Sequence, residues 1–400
     1  MVMWSCFLRP APRSISSTTS NNAARPSARP SGRWESGMPR RMVFDPWLFF
    51  AVGALAVFGL FMVGSASNYE AMTSLESASG YLIKHLIFLF AGFAGLFAAL
   101  SFPYQKLSSR ALVLGSVLVT AGALVLVLAM PTRGGAHRWL FAGPVQLQPS
   151  EIAKLTIVLF MAWMLSRKDE RVNEFQAVGL PSLLAVGLIC GLVVIEPDLG
   201  TSVIIGATAF VMIFVAGLNW RWIAGTSAVG VIGVIAAIVA EPYRLQRIKA
   251  FLNPGTELLG SNFQLNQSLI AIGSGGLTGQ GLGQGQQKAF YLYGAHTDFI
   301  FSVVGEELGL LGTVGLLLMF LLIFWRGMRA AWRAPDRFGF YLALGVTSLI
   351  MIQVFMHIGV CVGLLPTKGL SLPLVSYGGS SLVVSMTSIG VLLNVSQHSN

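Results

Sequence analysis

Charge is what this 400-residue sequence has least of: only 10% of its residues are Asp, Glu, Lys or Arg, against roughly 25% in water-soluble domains. That shortage excludes an ordinary soluble fold. Cysteine is nearly absent too. Cys6 lies in a polar tail and Cys190 and Cys361 lie inside apolar blocks, a distribution that excludes a disulfide framework and a zinc site. No Walker-type, GxGxxG or GxSxG pattern is present, so neither a nucleotide fingerprint nor a nucleophile elbow is available. What fills the chain instead is hydrocarbon, with 54% hydrophobic residues and a mean hydropathy of +0.71.

The apolar residues recur in blocks of about 20, the length a helix needs to cross roughly 30 Å of hydrocarbon. Transmembrane barrels alternate in shorter segments, so the pattern predicts an all-α polytopic membrane protein. Ten spans are expected, near 46–66, 81–101, 110–130, 151–166, 178–195, 200–218, 222–240, 299–325, 340–364 and 376–396. Residues 1–44, rich in Ser, Pro, Ala and Arg, read as a disordered basic tail without a signal-peptide core. The remainder, 45–400, reads as one transmembrane domain. Placing the tail in the cytoplasm puts seventeen Lys and Arg on the inner side and seven on the outer, the asymmetry expected if both termini are cytoplasmic. Membrane orientation therefore accounts for the net charge of +10, and no nucleic-acid partner is expected.

One outer connection, 241–298, is much longer than the others and holds seven glycines between Gly273 and Gly285. Two readings stay open for it: flexible re-entrant turns at the membrane surface, or a backbone that closely approaches a polar head group. The sixteen acidic residues are so few that Glu151, Glu196, Asp198, Asp298, Glu306 and Glu307, all at or just inside span ends, become informative. Asp298 ends the long loop at the mouth of the eighth span. A partly desolvated carboxylate there suits a general base, and capping the following helix is the compatible structural role.

Ser150 reads as a helix cap. Glu151 and Lys154, three residues apart, share a helix face, either as an ion pair or with Lys154 binding an anionic ligand. Arg138, beside Trp139, fits a head-group contact. Arg244, Arg247 and Lys249 alternate with apolar residues in an interfacial helix suited to anionic lipid or phosphate. Lys368 and Ser376 lie in a Pro- and Gly-broken outer stretch, tolerated at membrane depth only where it lines a cavity or is buried in protein. Ser376 has no nearby His and acid partners for nucleophilic chemistry.

These segments resemble the SEDS family (FtsW/RodA/SpoVE) of polytopic cell-wall proteins, and its cell-division branch more than its rod-elongation branch. The resemblance rests on Arg138-Trp, Gln148-Pro-Ser-Glu-Ile-Ala-Lys, Glu196-Pro-Asp-Leu-Gly-Thr, Ala295-His-Thr-Asp-Phe-Ile-Phe with Gly305-Glu-Glu-Leu-Gly, and Leu365-Pro-Thr-Lys-Gly-Leu-Ser-Leu-Pro-Leu-Val-Ser-Tyr-Gly-Gly-Ser-Ser. It implies a ten-helix SEDS-type bundle in the bacterial cytoplasmic membrane, at the division septum. The implied activity is a peptidoglycan glycosyltransferase polymerising lipid II, with undecaprenyl pyrophosphate as leaving group and inversion at the anomeric carbon. Asp298 is then the base, and Arg138, Glu151, Lys154, Lys368 and Ser376 are substrate-binding candidates. No cofactor follows from the motifs, and a divalent cation (Mg or Mn) is left open. Implied partners are a class B penicillin-binding protein (an FtsI-like transpeptidase) and other divisome proteins like FtsQ, FtsL and FtsB. A lipid II flippase and a non-catalytic divisome scaffold are the rival readings. Two local departures from the family pattern occur: His85 follows Lys84 where an arginine is usual, and Phe290-Tyr-Leu-Tyr-Gly replaces an acidic, proline-containing stretch.

Overall fold

A computed structural model of the chain describes residues 44–73, 78–130, 137–142, 145–167, 174–252, 262–292 and 294–398. The basic tail, apart from Phe44, and the middle of the long loop, 253–261, lie outside the described residues. The apolar blocks form α1 (Pro46–Thr73), α2 (Ala78–Ser101), α3 (Arg110–Leu128), α4 (Pro149–Arg167), α5 (Leu180–Ile195), α6 (Leu199–Val215) and α7 (Trp220–Val239). After α7 come the short helices α8 (Pro242–Leu252), α9 (Phe263–Ser274) and α10 (Gln287–Phe290), then α11 (Ile300–Trp332), α12 (Arg337–Cys361) and α13 (Gly379–Gln397). Among the described residues nine helices are long and apolar enough to cross a membrane, and α6, at 17 residues, is the tenth apolar helix. The all-α polytopic architecture is thus the one found, with an apolar helix at each of the ten expected blocks.

Several boundaries differ from expectation, with α1 ending at Thr73 rather than 66 and α12 spanning Arg337–Cys361 rather than 340–364. Helix α11 runs to Trp332 rather than 325, because Arg326–Trp332 carries good helix formers past the end of the apolar run. The last helix starts at Gly379 rather than 376, because Ser376 is held in a turn by its hydroxyl. The one sheet among the described residues is a ribbon of β1 (Leu140–Ala142) and β2 (Val145–Leu147), antiparallel with Leu140 opposite Leu147. Helices α4, α12 and α13 carry long buried stretches at the centre of the bundle, whereas α7 buries none of its residues. Small side chains let the central helices approach closely; a Cβ on Gly390 of α13 would lie 2.4 Å from the Leu96 carbonyl of α2.

The first and last described residues meet at one end of the bundle. The Asp45 amide donates to Ser396 Oγ, and its carboxylate accepts from the amides of Trp47 and Leu48 and pairs with Arg326. Asn394 Nδ2 donates to the carbonyls of Ala99, Leu100 and Phe102, at 3.2, 2.6 and 2.9 Å, while its Oδ1 accepts from Tyr104 N. Tyr104 in turn donates to Asp336, which caps α12.

Part of the long loop is built into the bundle. Gly309, at φ 64°, interrupts α11, and the helical bonds expected from Leu310 to Glu306 and from Leu311 to Glu307 are exchanged for bonds to the glycine-rich segment. Gln280 N and Gly281 N donate to the carbonyls of Glu306 and Glu307, and Leu310 N and Leu311 N donate to those of Gly276 and Leu277. Four backbone groups freed by the break are therefore matched by four from the loop, as non-helical backbone at membrane depth requires. Glycine is needed for the approach: a Cβ on Gly275 would be 1.9 Å from the Gly305 carbonyl, and one on Gly279, at φ +80°, 2.1 Å from that of Glu307. Gly275, Gly279 and Gly285 thus approach the broken helix, a role that neither reading of the loop included, while a Cβ on Gly273, Gly276 or Gly283 would meet open space. The same seam pairs Glu307 and holds one oxygen of Glu306, whose Oε2 is left without a hydrogen-bond partner. Lys288 pairs with Glu307 and donates to Ser65 Oγ at 2.7 Å, Ser65 donates to Glu307, and Glu306 Oε1 accepts from Gln286 N and Gln287 N.

Candidate active site

The end of the bundle opposite Asp45 and Ser396 collects Asp298, Arg138, Asp198, Arg247 and Lys368. Asp298 follows a turn in which its amide bonds to Gly294 O at 2.9 Å. The N-cap position of α11 belongs to Phe299, and no side chain caps that helix. The expected capping role of Asp298 is therefore corrected: its carboxylate is not spent on helix N–H groups. It rests instead over the backbone of Gly369, where a Cβ would lie 2.7 Å from Oδ2 and 3.4 Å from Oδ1. Burial raises its pKa above the usual aspartate value, opposed incompletely by His296, the Thr297 hydroxyl, Arg247 and Arg138.

The cations come from three separate segments. Arg138, just before β1, donates from Nε to Glu196 O at 3.0 Å and also bonds Pro197 O. Arg247 of α8 donates to Thr367 O at 2.9 Å and stacks on Tyr243, 4.5 Å from the ring centre. Arg244 ties α7 to α5 through the carbonyls of Ala237 and Val194. Lys368 reaches Asp198 at 3.5 Å, and its Nζ has no hydrogen-bond partner. Its stem crosses Gly200, where a Cβ would sit 2.7 Å from Cδ and Cε.

Asp198 caps α6 through Thr201 N at 3.2 Å and accepts from Thr201 Oγ1 at 2.7 Å. Burial pushes its pKa up, but Lys368, Arg138 and the Thr201 bonds outweigh burial and hold it below the ordinary value. Burial depresses Lys368 to about 8; Asp198 opposes that shift and Arg138 adds to it. Glu196 is fully buried, neither carboxylate oxygen has a hydrogen-bond partner, and burial with the neighbouring Asp198 raises it to about 8. Neutral pH therefore favours a protonated Glu196 beside an ionised Asp198, among the cations Arg138, Arg244, Arg247 and Lys368.

Three expected binding residues lie beneath this surface. Lys154 is 3% exposed, pairs with Glu151 at 2.7 Å and donates to Gln353 Oε1 at 2.8 Å, so in this arrangement both charges are committed inside the bundle. Ser376 donates to Thr297 O at 2.6 Å and accepts from Leu372 N at 2.8 Å. With the Tyr377 N bond to His296 O, it fastens the 372–377 turn to the segment bearing Asp298. Ser150 is not the cap expected of it, since α4 begins at Pro149 and its hydroxyl accepts from Gln148 Nε2. His85 is buried on α2, its ring 5.9 Å from that of Tyr377. Sequence reasoning missed Gln353 and His357, although they are the two polar residues four apart in an otherwise apolar stretch of α12. It also missed Gly369, which only the fold brings under Asp298.

Residues 46–400 match the family model FTSW_RODA_SPOVE, described as "Cell cycle protein". The chain is 41% identical over 356 residues, 88% of its own length and 93% of the relative's, to "Probable peptidoglycan glycosyltransferase FtsW" of Trichlorobacter lovleyi. It is 39% identical over 346 residues to "Stage V sporulation protein E" of Bacillus subtilis, covering 86% and 94% of the two chains. Among solved structures it resembles a chain of a peptidoglycan synthase complex, reported under the heading of coordinated polymerization and crosslinking, with a TM-score of 0.73 at 28% identity over 88% and 98% of the chains. It also resembles the rod shape determining protein RodA of Thermus thermophilus, with a TM-score of 0.67 at 28% identity over 90% and 99%.

Proposed function

This chain belongs to the FtsW/RodA/SpoVE family of cell cycle proteins, and from that membership we propose that it is a peptidoglycan glycosyltransferase that polymerises lipid II in the septal wall. The observation carrying the reading is the half-buried Asp298 carboxylate, uncommitted to helix capping and set beside Lys368-Gly369, Arg247 and Arg138. Inverting transfer needs a base for the acceptor hydroxyl and positive charge for the departing pyrophosphate. Asp298 takes the hydroxyl proton as the sugar oxygen attacks the anomeric carbon of the donor. Arg138, Arg247 and Lys368 receive the negative charge of undecaprenyl pyrophosphate, so no strong general acid is required.

The Asp298 end then faces outward and both termini lie in the cytoplasm, which agrees with the excess of Lys and Arg on the terminal side. Among the described residues no three carboxylate, imidazole or thiol groups converge on a metal site, so a divalent Mg or Mn ion would arrive with the pyrophosphate, and polymerisation with and without chelator tests that. A class B penicillin-binding protein as crosslinking partner is supported by the synthase complex that the fold resembles. Septal placement and FtsQ-, FtsL- and FtsB-like partners extend the same reading. The test is polymerisation of labelled lipid II by the purified chain, with and without the penicillin-binding partner. Glycan strands in either arm are expected. Translocation of lipid II into the opposite leaflet without polymer, or no turnover with the partner present, would overturn the reading.

A further inference from the structure

Beneath the Lys368-Gly369 segment, two buried side chains of α12 grip its backbone. Gln353, 3% exposed, donates from Nε2 to Ser371 O at 2.9 Å. His357, 1% exposed and one helical turn on, bonds Leu370 O through Nδ1 at 2.6 Å. A carbonyl only accepts, so the proton of this imidazole sits on Nδ1. Its Nε2 is buried with no hydrogen-bond partner, so one ring nitrogen carries the whole polar role. The Gln353 amide is oriented by the Lys154 ammonium, which donates to Oε1 and is itself paired with Glu151. From above, Ser376 and Tyr377 fasten the same loop to Thr297 and His296. The loop is therefore clamped from both sides at the level where Gly369 touches the Asp298 carboxylate.

We propose that Gln353 and His357 are positioning residues of the transferase, a buried ledge that sets the height of Lys368 and Gly369 against Asp298, with Lys154 acting on the site through Gln353. The proposal rests on the glycosyltransferase reading. It also explains why α12 places an amide and an imidazole among apolar residues, since a buried polar group is costly unless its bond serves the fold or the site. A ledge of this kind acts on the geometry of base and cation, and small displacements there weigh on the chemical step more than on substrate capture.

The test is kinetic, on the full-length chain with labelled lipid II and the penicillin-binding partner, beside wild type and Asp298→Asn. An Asn side chain presents its N–H close to where Nδ1 stands, whereas Gln presents it close to Nε2. His357→Asn should therefore retain kcat within about twofold, and His357→Gln should lose about tenfold or more with KM little changed. Gln353→Leu should lose kcat in the same way. Equal activity of the Asn and Gln variants, wild-type kcat in Gln353→Leu, or losses that only follow the folded fraction measured by melting would overturn the ledge. Failure of wild type to polymerise would instead overturn the glycosyltransferase reading on which the ledge rests.

Discussion

The two ends of the bundle use the same residue types to opposite effect. At the end holding Asp45 and Ser396, Asp45 and Asp336 each precede a helix and each caps it, and Asn394 satisfies three carbonyls and one amide at once. At the far end Asp298 also precedes a helix but leaves it uncapped, Glu196 keeps both oxygens without a hydrogen bond, and Lys368 Nζ is held only by a 3.5 Å ion pair. The Asp45, Asp336 and Asn394 side chains are saturated, the arrangement that secures a fold. The far end keeps charged groups in reserve, the arrangement expected where a ligand completes the set. What separates a structural from a functional aspartate here is whether local N–H groups already claim its carboxylate.

The largest expected effect removes the reserve. Asp298→Asn keeps the shape but not the proton acceptor, so polymerisation should fall by about 10²- to 10⁴-fold, read as glycan product per folded molecule. Because burial raises the Asp298 pKa, the acid limb of the wild-type pH profile should lie above the ordinary aspartate range, with activity lost as pH falls through it. Near-normal product from the Asn variant would erase the contrast between the ends.

On the saturated side, Asn394→Leu strands three carbonyls and one amide and should cost roughly 3 kcal/mol of stability, seen as a lower melting temperature. The kcat of the molecules that remain folded should be unchanged. A loss of kcat without loss of melting would place function at that end as well.

Lys368→Met should lower kcat/KM for lipid II by about tenfold or more, the loss expected when a charge-assisted bond to an anion is removed. With Lys368 depressed to about 8, wild-type activity should decline as pH rises through that value. Lys368→Arg should move the alkaline limb upward, and a limb that stays in place would assign it to another group.

Glu196 gives the smallest effect. Its folded pKa of about 8 lies above the ordinary 4.5, so between those values the folded protein binds the extra proton and stability falls as pH rises. Glu196→Gln removes that dependence and should melt no lower than wild type at pH 6 but higher at pH 9. Parallel melting curves for the two proteins across that range would contradict the assignment.

Much of this contrast was legible in the sequence. Ten apolar blocks gave ten helices, and scarcity of acids singled out Asp298, Glu196 and Asp198 before any fold was known. Their division of labour was not legible, because whether an aspartate caps a helix depends on the turn before it, here set by Gly294 and the Ser376 staple. The role of Gly275 and Gly279 was not legible because their partner, the break at Gly309, is a tertiary event: a glycine inside an apolar run is ordinary until another backbone replaces its helix bonds. The spacing of Glu151 and Lys154 made their ion pair legible as one of two readings, but only packing against α12 commits the ammonium to Gln353.

The contrast is tested most directly by measuring polymerisation and thermal melting together on two alanine variants of the purified chain. Asp336→Ala should lower melting by the equivalent of about 1 kcal/mol, the worth of a lost cap, and leave polymerisation per folded molecule intact. Asp298→Ala should abolish polymerisation and leave melting unlowered. An Asp298→Ala protein that still polymerises, or one whose activity falls only in step with its melting, would contradict the claim that this carboxylate is held back from the fold for chemistry.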